Sequence, residues 1–357
     1  MPGIMELNRF LGTQEHPVPE EARYAMLRSL TLRDLKALAS LRPLTRVIEQ
    51  HLRQRIRDLF KSYYLPSRES MNLLEETGSI ISGSAALNVI IPDIRCPRDL
   101  NLYCPKGATA RIVDFLASNE YTLQMPPTVW NNTKIGNRNQ LFNINNGVRS
   151  LWKFRHVTKP ALVTLVESAA QSSVLPVMFF HNTLLMNYCD AREVRCLYPT
   201  LTFDLKGLHN RAEGFDRLHK SSLGLRWERL GISLSWTCET AHSHHNESLP
   251  TPAPPNHRPD TCQREPRFLT DDIGLGLTFN TQARTAIDLQ LSWRLGFFKW
   301  AFNKVEYSNT QVTVYSRGET KRYSNVMNTR TSMDWRSHRE RNETEDGRTD
   351  VAQSSFP

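Results

Sequence analysis

The sequence predicts an α+β fold in which an N-terminal helical unit precedes a mixed-sheet domain and a disordered C-terminal tail follows. Three observations predict it. Apolar residues from Tyr24 to Leu59 recur at helical spacing. From Ile80 to Leu295, alternating β-branched segments and short helical ones are separated by Gly, Asn and Pro turns. From Tyr307 onward the chain is rich in Ser, Thr, Arg and Glu and reads as largely disordered. The expected organisation is a helical unit over 1–66, an α/β core over 67–236, a disordered Pro/His-rich loop over 237–269, a strand and aromatic segment completing the core over 270–305, and a tail over 306–357.

A chain of 357 residues, 39% of them hydrophobic, suffices for a sizeable buried core. No apolar run approaches the roughly 20 residues of a bilayer span, and Met1 to Thr13 lacks the order of a signal peptide, so the expected setting is intracellular, cytoplasmic or nuclear. The six cysteines form no C-x-x-C pair, so neither a zinc knuckle nor a disulfide framework is signalled. The net charge of +9 is spread among acids without a Lys/Arg block, the pattern of a solvated surface rather than of a nucleic-acid binder.

In order, Pro19-Glu20-Glu21 opens a first helix, and the leucine spacing divides the next stretch into helices at about 20–29, 31–40 and 43–63, broken at Leu30-Thr31 and Arg42-Pro43. A fourth helix is expected between Pro66 and Gly78, with Met71, Leu73 and Leu74 inward. Ile80 and Ile81 then lead through the small-residue corner Ser82-Gly83-Ser84 into a helix over 85–91. After a Pro-bounded turn comes the strand Asp99-Leu100-Asn101-Leu102-Tyr103. Side chains two apart on a strand share a face, so Leu100 and Leu102 go to the core while Asp99 and Asn101 point together toward the Gly83-Ser84 corner.

This arrangement resembles the nucleotidyltransferase superfamily, of the polymerase-beta type, which carries a Gly-Ser turn at a helix start and then an Asp-x-Asp strand. The resemblance implies that Gly83 and Ser84 hold the phosphates of a nucleotide and that Asp99 and Asn101 occupy the two metal-ligand positions, with Mg²⁺ as the ion. Asn101 departs from the pattern, because a neutral amide replaces the second carboxylate. The third carboxylate of the superfamily belongs on the strand Ala161 to Val166, which contains no acid, and Glu167 beyond it reads as a solvated strand end. Asp99 is the catalytic candidate, and the expectation is a pseudoenzyme with a decayed catalytic set that binds without transferring; an active transferase using Asp99 and an interaction protein with no small ligand are the alternatives.

Further helical spacing runs over 108–119, and strands are expected at 121–123, 140–144, 148–157 and 161–166, with Asn146-Gly147 signalling a hairpin. Ser173 to Tyr188 reads as a buried helix on the sheet, its His181 a hydrogen-bonded core residue. His242, His244, His245 and His257 lie among the prolines of the loop and read as incidental rather than metal-binding. Strands are expected again at 275–279 and 287–295.

Two readings stand side by side for Pro17 to Phe60. Its Val18-Pro19 start and L-x-L-x-x-L spacing resemble the F-box, which implies docking on the Skp adaptor of a cullin-RING ubiquitin ligase; equally, the helices fit a cap that buries one side of the next domain. Taken together, the helical start, the G-S-x-A-L…D-L-N-L-Y core, the F-H-N-T-x-x-M-N segment and Tyr198-Pro199 are similar to a group of fungal proteins with an F-box-like start and a nucleotidyltransferase-like core.

Overall fold

The computed structural model describes residues 18–94, 97, 99–130, 134–135, 142–210, 230–235, 263, 265–279, 290–301, 304–316 and 319–325. Four helices come first: α1 (Glu20–Leu27), α2 (Leu32–Ala39), α3 (Thr45–Ser62) and α4 (Ser67–Thr77). Local chemistry sets their ends. Thr31 and Asp34 form a reciprocal capping box at the start of α2, a 3-10 turn at Arg42–Leu44 with Pro43 precedes α3, and Gly78 ends α4 in the left-handed region at φ 64°. Next come β1 (Ile80–Ser82), α5 (Ser84–Ile90), β2 (Leu100–Cys104), α6 (Thr109–Ser118), β3 (Tyr121–Leu123), β4 (Thr128–Val129), β5 (Lys134–Ile135), β6 (Phe142–Ile144), β7 (Val148–His156) and β8 (Leu162–Ser168). They are followed by β9 (Asn187–Cys189), β10 (Glu193–Cys196), α7 (Pro199–Phe203), β11 (Lys206–Leu208), β12 (Ser233–Ser235), β13 (Arg267–Phe268) and β14 (Leu275–Thr278). The described chain closes with β15 (Gln290–Arg294), β16 (Phe297–Ala301), β17 (Lys304–Ser308), β18 (Gln311–Ser316) and β19 (Glu319–Ser324).

A mixed sheet in the order β14-β10-β9-β1-β2-β8-β7-β3, with β4 also paired to β7, forms the middle layer. Strands β2 and β8 run parallel, and the other pairs in this sheet are antiparallel. Alternation divides its side chains between two cores. Ile81, Leu100, Leu102, Val163 and Leu165 join the first core with helices α1 to α6. Ile80, Tyr103 and Val166 join the second, under a smaller sheet ordered β13-β15-β18-β19-β6-β5. The chain is thus layered helix, sheet, sheet.

The helical expectation holds in position but not in independence. α3 buries Ile48, Leu52 and Ile56 completely, each contributing about 1.5–3 kcal/mol of hydrophobic stabilisation, in the same core as the sheet strands. Leu27 and Leu35, which carry the leucine spacing of the F-box resemblance, are buried there too. Arg55 ties the layers together by donating to the carbonyls of Leu27, Arg28 and Leu30 and to that of Val89 in α5. A helical unit separate from the sheet domain is therefore corrected to a layer of the same fold. The apolar face of these helices is too wide to be satisfied by their own packing.

Three further expectations are corrected. The segment 173–188 is not one helix but two 3-10 turns, Leu175–Phe179 and Thr183–Leu185, followed by β9. Pro176 starts the first turn, and the Asn182 side chain accepts from the Leu185 N–H to start the second. The Asn146-Gly147 turn forms with both residues at positive φ, 53° and 68°, yet β6 and β7 do not pair, because β6 enters the smaller sheet while β7 enters the large one. The chain beyond Tyr307 does not lose order at once: β18 and β19 pair antiparallel and bury Val312, Val314 and Tyr323. Residues 326–357 and the four histidines at 242, 244, 245 and 257 lie outside the described residues. No helix among the described residues is long and apolar enough to cross a membrane.

Candidate functional site

The corner between β1 and α5 is built around Gly83. Its backbone, at φ 72° and ψ −145°, lies where an L side chain is strained. A Cβ there would also sit 3.4 Å from Asn101 Nδ2 and 3.6 Å from Phe180 Cζ. The sequence-predicted neighbours are thus brought together: Asn101 faces the Gly83 turn, and half-exposed Ser84 begins α5. Asp99 stands just before β2, half-buried, on the Asn101 side. Phe180, at the end of the first 3-10 turn, stands over the corner and meets Tyr103 edge-on with ring centroids 5.8 Å apart. Burial first, then the charge of Asp99, pushes the Tyr103 hydroxyl above its ordinary pKa.

Strand register lets the sheet face be read row by row, because directly paired residues point the same way. Ile80, Tyr103, Val166 and Leu151 form an apolar row packed in the second core. One step along, Ser82, Asn101, Thr164 and Lys153 form a polar row, with Asn101 and Thr164 half-exposed and Lys153 exposed. A step further, Leu162, Arg155 and Thr122 are paired in line on the side of Asp99. The second core therefore ends at the Asn101 row, and beyond it the sheet face is open.

Glu167 corrects an expectation. It is not a solvated strand end but lies inside β8, 7% exposed, paired with Cys104 and on the opposite sheet face from Asn101. Its carboxylate accepts from the Gly107 N–H, Ser150 Oγ and Arg149 Nη1, at 2.9, 2.7 and 3.1 Å, which fastens the Lys106-Gly107 turn to the sheet. The β8 residue paired with Asn101 is Thr164. Lys153 and Arg155 are the residues that sequence reasoning missed. The alternation Trp152-Lys153-Phe154-Arg155 places them on one face, but only the β2-β8-β7 register shows that this face is the one with Asn101.

Among the described residues, the corner and the sheet rows beside it thus present one carboxylate, an amide, hydroxyls and two cations. Among the described residues no group of three or more His, Cys, Asp or Glu side chains converges. The buried thiols of Cys104 and Cys196 are pushed up to about 12 by burial, which leaves them protonated and unreactive at neutral pH. His181 is half-exposed, and its carbonyl accepts from the Asn210 N–H. A groove of about 460 Å³ lies elsewhere, between α4 and α6, with Glu69, Leu73, Arg111 and Phe115 in its walls. None of its lining residues belongs to the corner. No protein-family model, no curated protein and no solved structure matches the chain.

Proposed function

We propose that this protein is a nucleotidyltransferase-like module that binds a nucleotide at the Gly83–Asn101 corner without carrying out two-metal transfer. The observation that carries the reading is the row Asn101–Thr164–Lys153, which bears an amide, a hydroxyl and an ammonium and no carboxylate. Two-metal transfer requires acidic oxygens to neutralise both ions and to hold the attacking and leaving groups in line. Asp99 alone does not supply them, and Glu167 is turned to the other face. Adaptor docking through the N-terminal leucines is not part of this reading, since Leu27 and Leu35 are buried against the sheet layer.

The test is thermal shift of the full chain with ATP, GTP, CTP or UTP, with and without Mg²⁺. At least one nucleotide is expected to raise the melting temperature equally in the two conditions, by linkage to the folded state. Asn101→Asp, which sets two carboxylates about 6–7 Å apart on one strand face, should make the protein newly responsive to Mg²⁺ or Mn²⁺. Equal metal responses of wild type and variant, or nucleotide transfer by the wild type, would refute the reading.

A further inference from the structure

We infer that the open half of the sheet face is an anion-binding surface in which Lys153 and Arg155 hold the phosphates of a small polyphosphate ligand directly, in the place of metal ions. The inference rests on the reading above for the location of the site and goes beyond it in naming what recognises the ligand.

Three features carry it. First, Lys153 and Arg155 are exposed side chains two positions apart on β7, so they stand side by side about 6–7 Å apart on one face. Second, Lys153 is in register with Thr164 and, through it, with Asn101, which puts its Cα about 10 Å from that of Asn101 across two strand spacings. A lysine stem spans the remaining gap, so its ammonium reaches an anion seated over Thr164, whose hydroxyl and the Asn101 amide are further donors. Third, the apolar cover of the sheet ends at this row, and Phe180 forms the wall on the Gly83 side. The result is a ledge with a ring at one end and two cations at the other.

Charge decides the ligand class. Among the described residues of these rows the one acid is Asp99, which stands two strands away from Arg155. An anion is therefore drawn toward the Lys153 and Arg155 end. A bidentate guanidinium and an ammonium side by side suit adjacent phosphates, which carry several negative charges within the same span.

The experiment is calorimetric titration of the full chain with tripolyphosphate and, separately, ATP, in buffer containing EDTA. Lys153→Ala/Arg155→Ala is expected to weaken tripolyphosphate binding at least about tenfold, as loss of two charge-assisted contacts requires. A control of equal charge change on the helical layer, Lys36→Ala/Arg46→Ala, should change it less than about threefold, the range of a screened long-range effect. The single variant Lys153→Gln provides a second, milder step, and melting temperature reports folding of each protein. Equal weakening in the two double variants, or no tripolyphosphate binding by the wild type, overturns the inference. ATP binding that survives Lys153→Ala/Arg155→Ala also overturns it while leaving the proposed function standing. Tripolyphosphate binding that depends on Lys153 and Arg155, with no binding of ATP, supports the anion surface and retires the nucleotide reading.

Discussion

Acidification should weaken the helical layer through His51. This side chain is 4% exposed on α3, and its Nε2 accepts from Arg55 Nε at 2.9 Å. Arg55 cannot turn away, because its other nitrogens are held by four carbonyls. Burial, and then the adjacent Arg55 charge, lowers the His51 pKa from 6.5 to about 4. The folded pKa lies below the unfolded one, so the unfolded chain takes up the proton more readily. The contribution is complete above pH 6.5 and is lost as the pH falls from there toward 4. At pH 5 about nine-tenths of the native copies but only about a thirtieth of the unfolded copies remain neutral, a ratio of about 30 that corresponds to about 2 kcal/mol. The assay is urea unfolding of the full chain at pH 8 and pH 5, in wild type and His51→Gln. Glutamine keeps an acceptor for Arg55 but does not titrate. The wild type should lose about 2 kcal/mol more than the variant between the two pH values. Equal losses would mean that His51 is not held neutral by Arg55, and the reasoning fails.

Other perturbations follow from the same physics. Arg267 is 4% exposed, lies over the rings of Tyr198 and Trp293 at 4.9 and 5.3 Å, and is paired with Asp271, whose carboxyl it helps to hold below the ordinary range. Asp271→Asn leaves that buried charge unbalanced and should cost about 3 kcal/mol in urea unfolding at pH 7; a loss below about 1 kcal/mol would contradict the pairing. Glu167→Gln removes the charge that Arg149 and the Gly107 N–H address, and should lower stability by about 2 kcal/mol while speeding amide exchange at Gly107. Gly83→Ala forces a side chain into a positive-φ conformation facing Asn101 and Phe180, and should destabilise by about 1–3 kcal/mol, read as a fall in urea midpoint.

The helices at 20–62 and the turn from Ile80 to Ser84 were legible because their signals are local. Leucine spacing, Pro43 and Gly78 act within a few residues of where they stand. The segment 173–188 was misread for the opposite reason. It is apolar almost throughout, so periodicity does not separate a helix from 3-10 turns and a strand, and Pro176 and Asn182 decide the outcome. Strands β18 and β19 were hidden by averaging, since their outward residues are polar and make two half-buried strands look like a solvated tail. At the candidate site, Gly83, Asp99 and Asn101 were placed by sequence spacing. Lys153, Arg155 and the true position of Glu167 were not, because faces on different strands are matched by long-range register, and one residue of error moves a side chain through the sheet.

The two-residue turn at Asn146-Gly147 has a consequence for how the protein is made. It sends β6 into the smaller sheet, where the partner awaiting Asn143 and Ile144 is β19, about half a chain later. A ribosome therefore releases β1, β2, β7 and β8 long before the strands that cover their second face exist. Through that interval Ile80, Tyr103 and Val166 have no β15, β18 or β19 above them. The Asn101 row is next to that uncovered surface, so the growing chain exposes its candidate ligand site and an adhesive apolar strip side by side. Closure waits on the last of the described strands to emerge, which makes the β18–β19 hairpin, rather than the helical layer, the step on which assembly of these two sheets depends.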